Sequence, residues 1–331
     1  MQRDNYIDFL RFIGLSLIIL AHSTPPLVVG QLRSFDVCLM VFVSGLTVSN
    51  KQINDYRKYI LSRSKRLIFP VWIFLTAYFV FFALCYKMGF ISEPIPLNTA
   101  IDSFLLRKGI GYVWIFRIFV LMMFLTPLLQ NINRKIKTNT GLILFLSVGL
   151  ILQWVLAVIY ASIDNECLKS NYEYYIMDST GYALLLLLGI RMNDSRGFDV
   201  GFYCMASIAA LIAGIGTYIY FNGLPVEISP TYKYPPYGYY LLYGLIASAL
   251  LLCAKPLLRK LSEIKAFAYL GQNTCWIYLW HIPFVLLADK FTDVWWIKFI
   301  MIYAGAVIVY TIQRSIILRL PFLKGLQKYL V

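Results

Sequence analysis

Long apolar stretches constrain this chain more than any other feature of its sequence. A helix needs about 20 apolar residues to cross the hydrocarbon core of a bilayer. Ten stretches approach or meet that length, and we therefore predict an all-α, polytopic integral membrane helix bundle of about ten transmembrane helices. They run approximately from Tyr6 to Thr24, Ser34 to Asn50, Leu67 to Tyr86, Ile110 to Gln130, Gly141 to Ser162, Tyr175 to Ile190, Gly201 to Phe221, Tyr237 to Ala254, Ala266 to Ala288 and Trp295 to Gln313.

The composition excludes several other classes of protein. Only 14% of the residues are charged and 60% are hydrophobic, whereas soluble proteins contain about 25% charged residues. Such a chain has too little charge to cover a solvated surface, which excludes a soluble enzyme, a disordered chain and a disulfide-stapled secreted module. The net charge of +14 comes from basic residues spread over several short loops. We therefore predict no nucleic-acid partner.

The distribution of Lys and Arg predicts the orientation in the membrane. If the N-terminus is cytoplasmic, the cytoplasmic segments hold 20 of these residues and the outer segments hold 7. This asymmetry follows the positive-inside rule and places both termini in the cytoplasm. A cleaved signal peptide is the alternative for the first stretch, but the acidic Asp4 and Asp8 argue against it. With short loops throughout, we expect residues 1–331 to form a single membrane-embedded domain.

Ionisable side chains inside the first stretch are candidates for a functional site, because charges in a bilayer are costly and usually face the bundle interior. Asp8, Arg11 and His22 fall on one face of a helix. About 16 Å of helix axis separates Arg11 from His22. We therefore expect Asp8 and Arg11 near the cytoplasmic end and His22 toward the outer end, which excludes a direct relay from Asp8 to His22.

Asp36 lies near the start of the second stretch, at about the depth of His22. It could orient or charge-stabilise the imidazole, as carboxylates do in acid/base pairs. It could equally be an anion at the positive end of its own helix. The sequence leaves both interpretations open.

His281 is the only other histidine and lies in an aromatic run of the ninth stretch. It is either a second catalytic candidate or a hydrogen-bonded core residue. Two histidines with no nearby carboxylate cluster do not make a metal site, so we predict none.

Arginines supply the candidate binding groups. Arg63 and Arg66 are three residues apart and share one helix face. Such a cluster usually determines topology, but the pair also suits a phosphate-bearing ligand, because Arg binds phosphate oxygens bidentately. Arg117 is predicted to be an unpaired cation at membrane depth. We include Arg11 and Arg117 with Arg63 and Arg66 as candidate donor-binding residues.

Four motifs in order resemble acyltransferase family 3, the integral-membrane acyltransferases that O-acetylate bacterial surface glycans. The resemblance covers essentially the whole chain and lies in Arg3-Asp4 through Ile7-Asp8-Phe9-Leu10-Arg11 to Ala21-His22, Ser34-Phe35-Asp36-Val37 through Phe42-Val43-Ser44-Gly45, Arg63-Ser64-Lys65-Arg66-Leu67-Ile68-Phe69-Pro70, and Gly271-Gln272-Asn273-Thr274 through Tyr278-Leu279-Trp280-His281-Ile282-Pro283.

The resemblance implies a cytoplasmic acyl-coenzyme A donor, usually acetyl-CoA, and a glycan acceptor on the far side of the membrane. It implies a catalytic role for His22 and donor-binding roles for Arg63 and Arg66. We therefore predict an O-acetyltransferase of the bacterial inner membrane, with acetyl-CoA as co-substrate, no tightly bound cofactor, and a lipid-linked or membrane-proximal glycan as acceptor.

Two alternative functions remain open. One is a transporter or flippase of a lipid-linked glycan without acyl transfer, although the stretches lack an obvious inverted repeat. The other is a non-catalytic component of an envelope complex, in which both histidines are core residues.

Overall fold

The computed structural model describes residues 4–49, 51, 53–193, 232–321, 324–325 and 327–330, and these residues form helices, turns and loops without a β-strand. The predicted span from Gly201 to Phe221 lies outside the described residues. In chain order the described helices are α1 (Asn5–Ala21), α2 (Leu27–Leu32), α3 (Asp36–Val48), α4 (Tyr56–Lys87), α5 (Leu97–Phe104), α6 (Trp114–Lys135), α7 (Asn139–Ala161), α8 (Glu166–Asn171), a π-helical turn (Tyr172–Met177), α9 (Asp178–Met192), α10 (Gly238–Cys253), α11 (Lys255–Ser262), α12 (Lys265–Gln272), α13 (Thr274–Ala288), α14 (Trp295–Arg319) and α15 (Gln327–Leu330).

Several helices are long and apolar enough to cross a membrane. Among the described residues five segments meet this condition, and a sixth does so if α10 and α11, which are bent by 71°, count as one span. The five are Leu27–Val48, Tyr56–Lys87, Trp114–Lys135, Asn139–Ala161 and Trp295–Arg319. Large apolar side chains are exposed along α7, including Leu144, Ile151 and Trp154. For the described residues, the helical fold with apolar helices long enough to cross a membrane is therefore confirmed, whereas the count of ten spans and the location of the termini stay predictions.

The ninth predicted span, from Ala266 to Ala288, is not one continuous helix. It is divided into α12 and α13 at Asn273, whose backbone leaves the helical conformation. The Asn273 side-chain amide donates to the carbonyl oxygen of Tyr269 at 2.6 Å. Asn side chains compete for backbone groups in this way and so interrupt helices. The apolar character of the stretch predicted a membrane segment but concealed this break.

The helix α4 begins earlier than hydropathy predicts, already at Tyr56. Asp55 caps it, because its carboxylate accepts a hydrogen bond from the Lys58 N–H at 3.0 Å. Such a cap satisfies a backbone donor that has no partner within the helix. The residues Arg63 to Arg66 therefore lie on a helix and not in a loop before it.

The chain divides into two compact units, Met1–Gln52 with Leu125–Thr274, and Ile53–Phe124 with Cys275–Val331. In the first unit α3 lies at the centre and contacts α1, α9 and α10. Most of its residues are buried, and the partly exposed ones, Met40, Ser44 and Thr47, share one face of the helix. The helix α1 also packs against α12, and the rings of Phe12 and Phe267 stack with 4.5 Å between their centroids.

Two glycines allow α3 and α9 to approach closely. A Cβ atom added at Gly45 would overlap the carbonyl oxygen of Leu186, and one added at Gly189 would overlap the carbonyl oxygen of Phe42. Small residues permit this backbone contact between membrane helices. We therefore infer that van der Waals contact at Gly45 and Gly189 holds the centre of the first unit together.

We predict that Gly189→Ala destabilises the protein by about 1–3 kcal/mol, because the backbone of α3 would have to move to admit the methyl group. Thermal unfolding in detergent measures the effect. Gly30→Ala is the matched control, since a Cβ atom there meets nothing within 4 Å. An equal loss in both variants would contradict close packing as the cause.

The second unit contains α4, α5, the first half of α6 and α13 to α15. The ring of Phe74 meets the ring of Trp280 edge to face, with 5.6 Å between centroids. Trp276 donates from its indole N–H to the carbonyl oxygen of Tyr329 at 3.0 Å. A buried lysine, Lys298, lies 2.7 Å from a carboxylate oxygen of Asp289. The unit is therefore held by aromatic packing and by a few polar contacts.

Candidate functional site

His22 lies directly after the last residue of α1 and is half-buried. Its backbone N–H closes the helix by donating to the carbonyl oxygen of Ile19, three residues earlier, at 3.0 Å. The neighbouring helix α3 runs antiparallel to α1, since Arg11 bonds Thr47 and Gly14 lies beside Met40. Continuing that register places the end of α1 beside the beginning of α3.

Asp36, the first residue of α3, is almost completely buried and accepts from three donors. Lys233 Nζ lies 2.6 Å from Oδ1, and Arg33 Nη1 lies 2.8 Å from Oδ2. The backbone N–H of Val37 also donates to Oδ1, at 2.7 Å. Asp36 is thus both an anion at the start of its helix and the centre of an ion cluster. The predicted orienting role toward His22 stays a prediction.

Sequence reasoning missed Lys233. The sequence places Lys233 only among the seven outer Lys and Arg residues that bear on topology, whereas its side chain is buried against Asp36. Two residues separated by 197 positions meet here, and no local pattern in the sequence indicates that pairing. A lysine within the aromatic run from Tyr232 to Tyr237 was the one available signal.

Arg11 lies in a second polar cluster of the first unit. One guanidinium nitrogen donates to Asp8 Oδ1 and the other to Thr47 Oγ1, both at 2.8 Å. The Gln272 side-chain amide donates to the other oxygen of Asp8 at 3.2 Å. This cluster connects α1, α3 and α12, so Arg11 has a structural role in addition to any role in donor binding.

Arg63 and Arg66 project from α4 in the second unit. Arg63 is partly buried, with its guanidinium carbon 5.8 Å from the ring centroid of Tyr59, and Arg66 is exposed. The cation–π contact orients Arg63 while leaving guanidinium N–H groups available for a ligand. The pair retains the i, i+3 spacing that suits a phosphate.

The description of Arg117 as unpaired is wrong. Its guanidinium is buried and donates to the carbonyl oxygen of Leu106 at 2.9 Å. Leu106 lies in the loop before α6, at a positive φ of 57°, and the fold of that loop directs its carbonyl oxygen toward the arginine. Donor binding by Arg117 stays a prediction. Its guanidinium group also stabilises the loop before α6 through the bond to Leu106.

His281 is fully buried in α13. Its Nδ1 contacts the carbonyl oxygen of Tyr278, one turn earlier in the same helix. The ring of Tyr112 meets the imidazole edge to face at 6.0 Å. These contacts favour the interpretation of His281 as a core residue, and a catalytic role for it stays a prediction.

The two units thus divide the predicted residues between them. His22, Asp36 and Arg11 belong to the first unit, and Arg63, Arg66, Arg117 and His281 belong to the second. Within the described parts of the chain, no group of three His, Cys, Asp or Glu side chains could hold a metal ion. The absence of a metal site stays a prediction for the whole chain.

The first unit also contains a cavity of about 760 Å³ near the start of α1. Its lining combines apolar side chains such as Ile7, Leu46 and Met192 with the charged Lys255 and Arg259. Lys255 lies 2.8 Å from a carboxylate oxygen of Asp4. His22, Asp36 and Arg11 are not among its lining residues. The cavity is therefore separate from the cluster around Asp36.

Apolar helices of membrane-spanning length with charged side chains buried between helices are typical of a membrane protein, and the comparison with known families identifies its class. The family model described as an acyltransferase domain, that of acyltransferase family 3, matches residues 4–312. The chain therefore belongs to this family of acyltransferases, as its motifs predicted. No curated protein and no solved structure gives a significant match.

Proposed function

We propose that this protein is an O-acetyltransferase of the bacterial inner membrane. It moves an acetyl group from cytoplasmic acetyl-CoA to a hydroxyl of a surface polysaccharide or of its lipid-linked precursor. The observation that carries the proposal is the family match over residues 4–312, a range that includes His22, Arg63 and Arg66. In this proposal ten helices cross the membrane and both termini are cytoplasmic.

The chemistry assigned to His22 is general base catalysis. The imidazole takes the proton of the acceptor hydroxyl as the hydroxyl oxygen attacks the thioester carbonyl carbon. The carbon–sulfur bond then breaks, and the coenzyme A thiolate leaves and is protonated. An alternative route, in which the imidazole carries the acetyl group in a covalent intermediate, uses the same residue. The position of His22 at the end of α1, half-buried and, by the antiparallel register of α1 and α3, near the beginning of α3, supports its assignment as the base.

The donor is assigned to Arg63 and Arg66. Coenzyme A carries several phosphate groups, and guanidinium groups bind phosphate oxygens through paired, charge-assisted hydrogen bonds. Acetyl-CoA is a co-substrate in this proposal and no cofactor is tightly bound. Arg11 and Arg117 are further donor-binding candidates, although their guanidinium groups also bond protein oxygens.

We predict that Arg63→Gln and Arg66→Gln each raise the dissociation constant of acetyl-CoA about tenfold or more. Each variant removes a charge-assisted hydrogen bond between a guanidinium group and a phosphate oxygen of coenzyme A. Titration of the melting temperature with acetyl-CoA measures this, since a ligand that binds the folded state stabilises it by mass action. Lys65→Gln is the matched control, since Lys65 is exposed and points to another side of α4. A loss of equal size in the Lys65 variant would indicate a general charge effect and contradict the assignment.

The reaction itself is tested with purified protein in lipid vesicles. The protein receives acetyl-CoA and a lipid-linked glycan, and we expect free coenzyme A to be released as the glycan gains the mass of one acetyl group. Movement of the glycan across the bilayer without release of coenzyme A would instead favour a flippase and overturn the proposal.

A further inference from the structure

The short helix α11 turns away from the span that precedes it. The axes of α10 and α11 meet at an angle of 71°, and Pro256 lies in the first turn of α11. Proline has no backbone N–H with which to extend a preceding helix, but it is readily accepted where a new helix starts. Membrane-spanning helices tilt by about 20° on average. If α10 crosses the membrane, α11 therefore lies closer to the membrane plane than to its normal.

One side of α11 carries large apolar side chains that the protein does not cover. Leu257, Lys260 and Leu261 have the i, i+3, i+4 spacing that places side chains next to one another on a helix. Leu257 is 84% exposed and Leu261 is 44% exposed, and Ile264, just after the helix, is exposed as well. Ser262, on another side of the helix, is buried. The helix therefore has a side that faces the protein and an open side that combines leucines with a lysine.

The charges of this segment indicate its depth in the membrane. Residues 255–265 contain four basic residues and one acidic residue. Four basic side chains are too costly for a re-entrant loop within the hydrocarbon core. Basic side chains beside exposed leucines are instead typical of a helix that lies in the interface, with its apolar side at the boundary between headgroups and acyl chains.

Two of the four cations have no anion in the protein. Lys255 lies 2.8 Å from a carboxylate oxygen of Asp4, and Arg259 lies 3.6 Å from the carboxylate one turn further on. In contrast, Lys260 and Lys265 are exposed, and within the described part of the chain no carboxylate pairs with either of them. Anionic lipids attract basic residues close to the membrane surface, so their phosphate groups would supply the missing anions.

The size of the open side favours lipid over a protein partner. A stable protein interface takes about 20–30 residues on each side. The open side presents three large apolar side chains, those of Leu257, Leu261 and Ile264. An area of this size is sufficient for contact with acyl chains but not for a stable protein complex.

We propose that α11 is an interfacial helix that docks on the membrane surface and binds the headgroups of anionic phospholipids. Leu257 and Leu261 enter the boundary of the acyl chains, while Lys260 and Lys265 pair with lipid phosphate groups. In the predicted orientation, the surface is that of the cytoplasmic leaflet. This docking requires no acyl transfer, so it does not depend on the proposed function.

Fluorescent probes on two sides of α11 test where the helix lies. Positions 257 and 259 are both exposed and point about 160° apart around the helix. Leu257→Cys and Arg259→Cys are made together with Cys167→Ser, because Cys167 is an exposed free cysteine, and the labelled Cys167→Ser protein is the blank. In vesicles whose lipids carry a nitroxide on the upper acyl chain, we expect quenching at position 257 to be about twofold stronger than at position 259, or more.

Two outcomes of the quenching experiment would overturn the docking of α11. Weak quenching at both positions would place the helix in water. Equally strong quenching at both positions would immerse it in the bilayer as a re-entrant loop. All the changed side chains are exposed, so we expect these variants to fold as the original protein does.

The melting temperature in a neutral detergent measures the preference for anionic lipid, because a lipid that binds the folded state stabilises it by mass action. We expect phosphatidylglycerol to stabilise the protein at lower concentration than phosphatidylcholine does. The double variant Lys260→Gln with Lys265→Gln should raise the half-maximal concentration of phosphatidylglycerol about tenfold or more. Lys58→Gln is the matched control and should change it by less than about twofold. Lys58 is also exposed, but it lies about 13 Å along α4 before the apolar part of that helix begins.

The lipid titration can also contradict the proposal. Equal stabilisation by the two lipids, or an equal loss in the Lys58 variant, would overturn headgroup binding by Lys260 and Lys265. Glycerol phosphate supplies the same phosphate group without acyl chains. If it stabilised the protein as phosphatidylglycerol does, the lysines would form a site for a soluble phosphate and not for a lipid surface.

Discussion

Replacing His22 with alanine should lower kcat for acetyl transfer by about 10²- to 10⁴-fold, the range that a general base contributes. Alanine has no group that can take the proton of the acceptor hydroxyl. His22 follows the last residue of α1 and is half-buried, so its replacement should disturb packing little. The measurement is the rate of coenzyme A release from acetyl-CoA in the presence of the glycan acceptor.

Binding and folding serve as controls for the His22 variant. Stabilisation by acetyl-CoA should persist in His22→Ala, because donor binding is assigned to Arg63 and Arg66. Ser16→Ala is a matched variant of the same helix, since Ser16 donates to the carbonyl oxygen of Phe12 within α1. It should retain activity. Full transfer activity in His22→Ala would remove the imidazole from the mechanism and favour a structural role for it.

The largest expected change in stability follows from Asp36. Asp36→Leu should reduce the free energy of unfolding by about 3–5 kcal/mol, the usual result when one partner of a buried ion pair is removed. The variant keeps Lys233 and Arg33 in a polar cluster that has lost its only described carboxylate. Unfolding in mixed detergent micelles, followed by tryptophan fluorescence, measures the difference.

Two further variants test whether the lost charge of Asp36 causes the expected loss of stability. In the double variant Asp36→Leu with Lys233→Met, both members of the buried pair become apolar, so part of the lost stability should return. Asp102→Asn should change the stability by less than about 1 kcal/mol, because Asp102 and its partner Arg107 are both exposed and 3.7 Å apart. No recovery in the double variant would mean that Asp36→Leu acts through packing alone.

Much of the helical structure could be predicted from hydropathy. The boundaries of α7 and of the first helix lie within a few residues of those predicted, since the length of an apolar segment is set by the thickness of the bilayer. The break at Asn273 and the early start of α4 were not predicted. Both depend on single side chains, Asn273 and Asp55, that bond the backbone, and a hydropathy average does not register such bonds.

The candidate site was predictable only in part. Helical periodicity placed Asp8 and Arg11 on one face, and the structure pairs them at 2.8 Å. Periodicity says nothing about groups on other chain segments, so it did not predict the carbonyl oxygen that pairs with Arg117. For the same reason it missed the ion pair of Lys233 with Asp36.

The sequence by itself determined that this chain is an all-helical membrane protein of acyltransferase family 3, because apolar length and local motifs are properties of neighbouring residues. Only the tertiary structure decided that Asp36 lies between Arg33 and Lys233, and that α3 and α9 touch at Gly45 and Gly189. These contacts depend on how distant helices pack and in which register. Such packing follows from shape and charge summed over whole helices and cannot be read from any one segment.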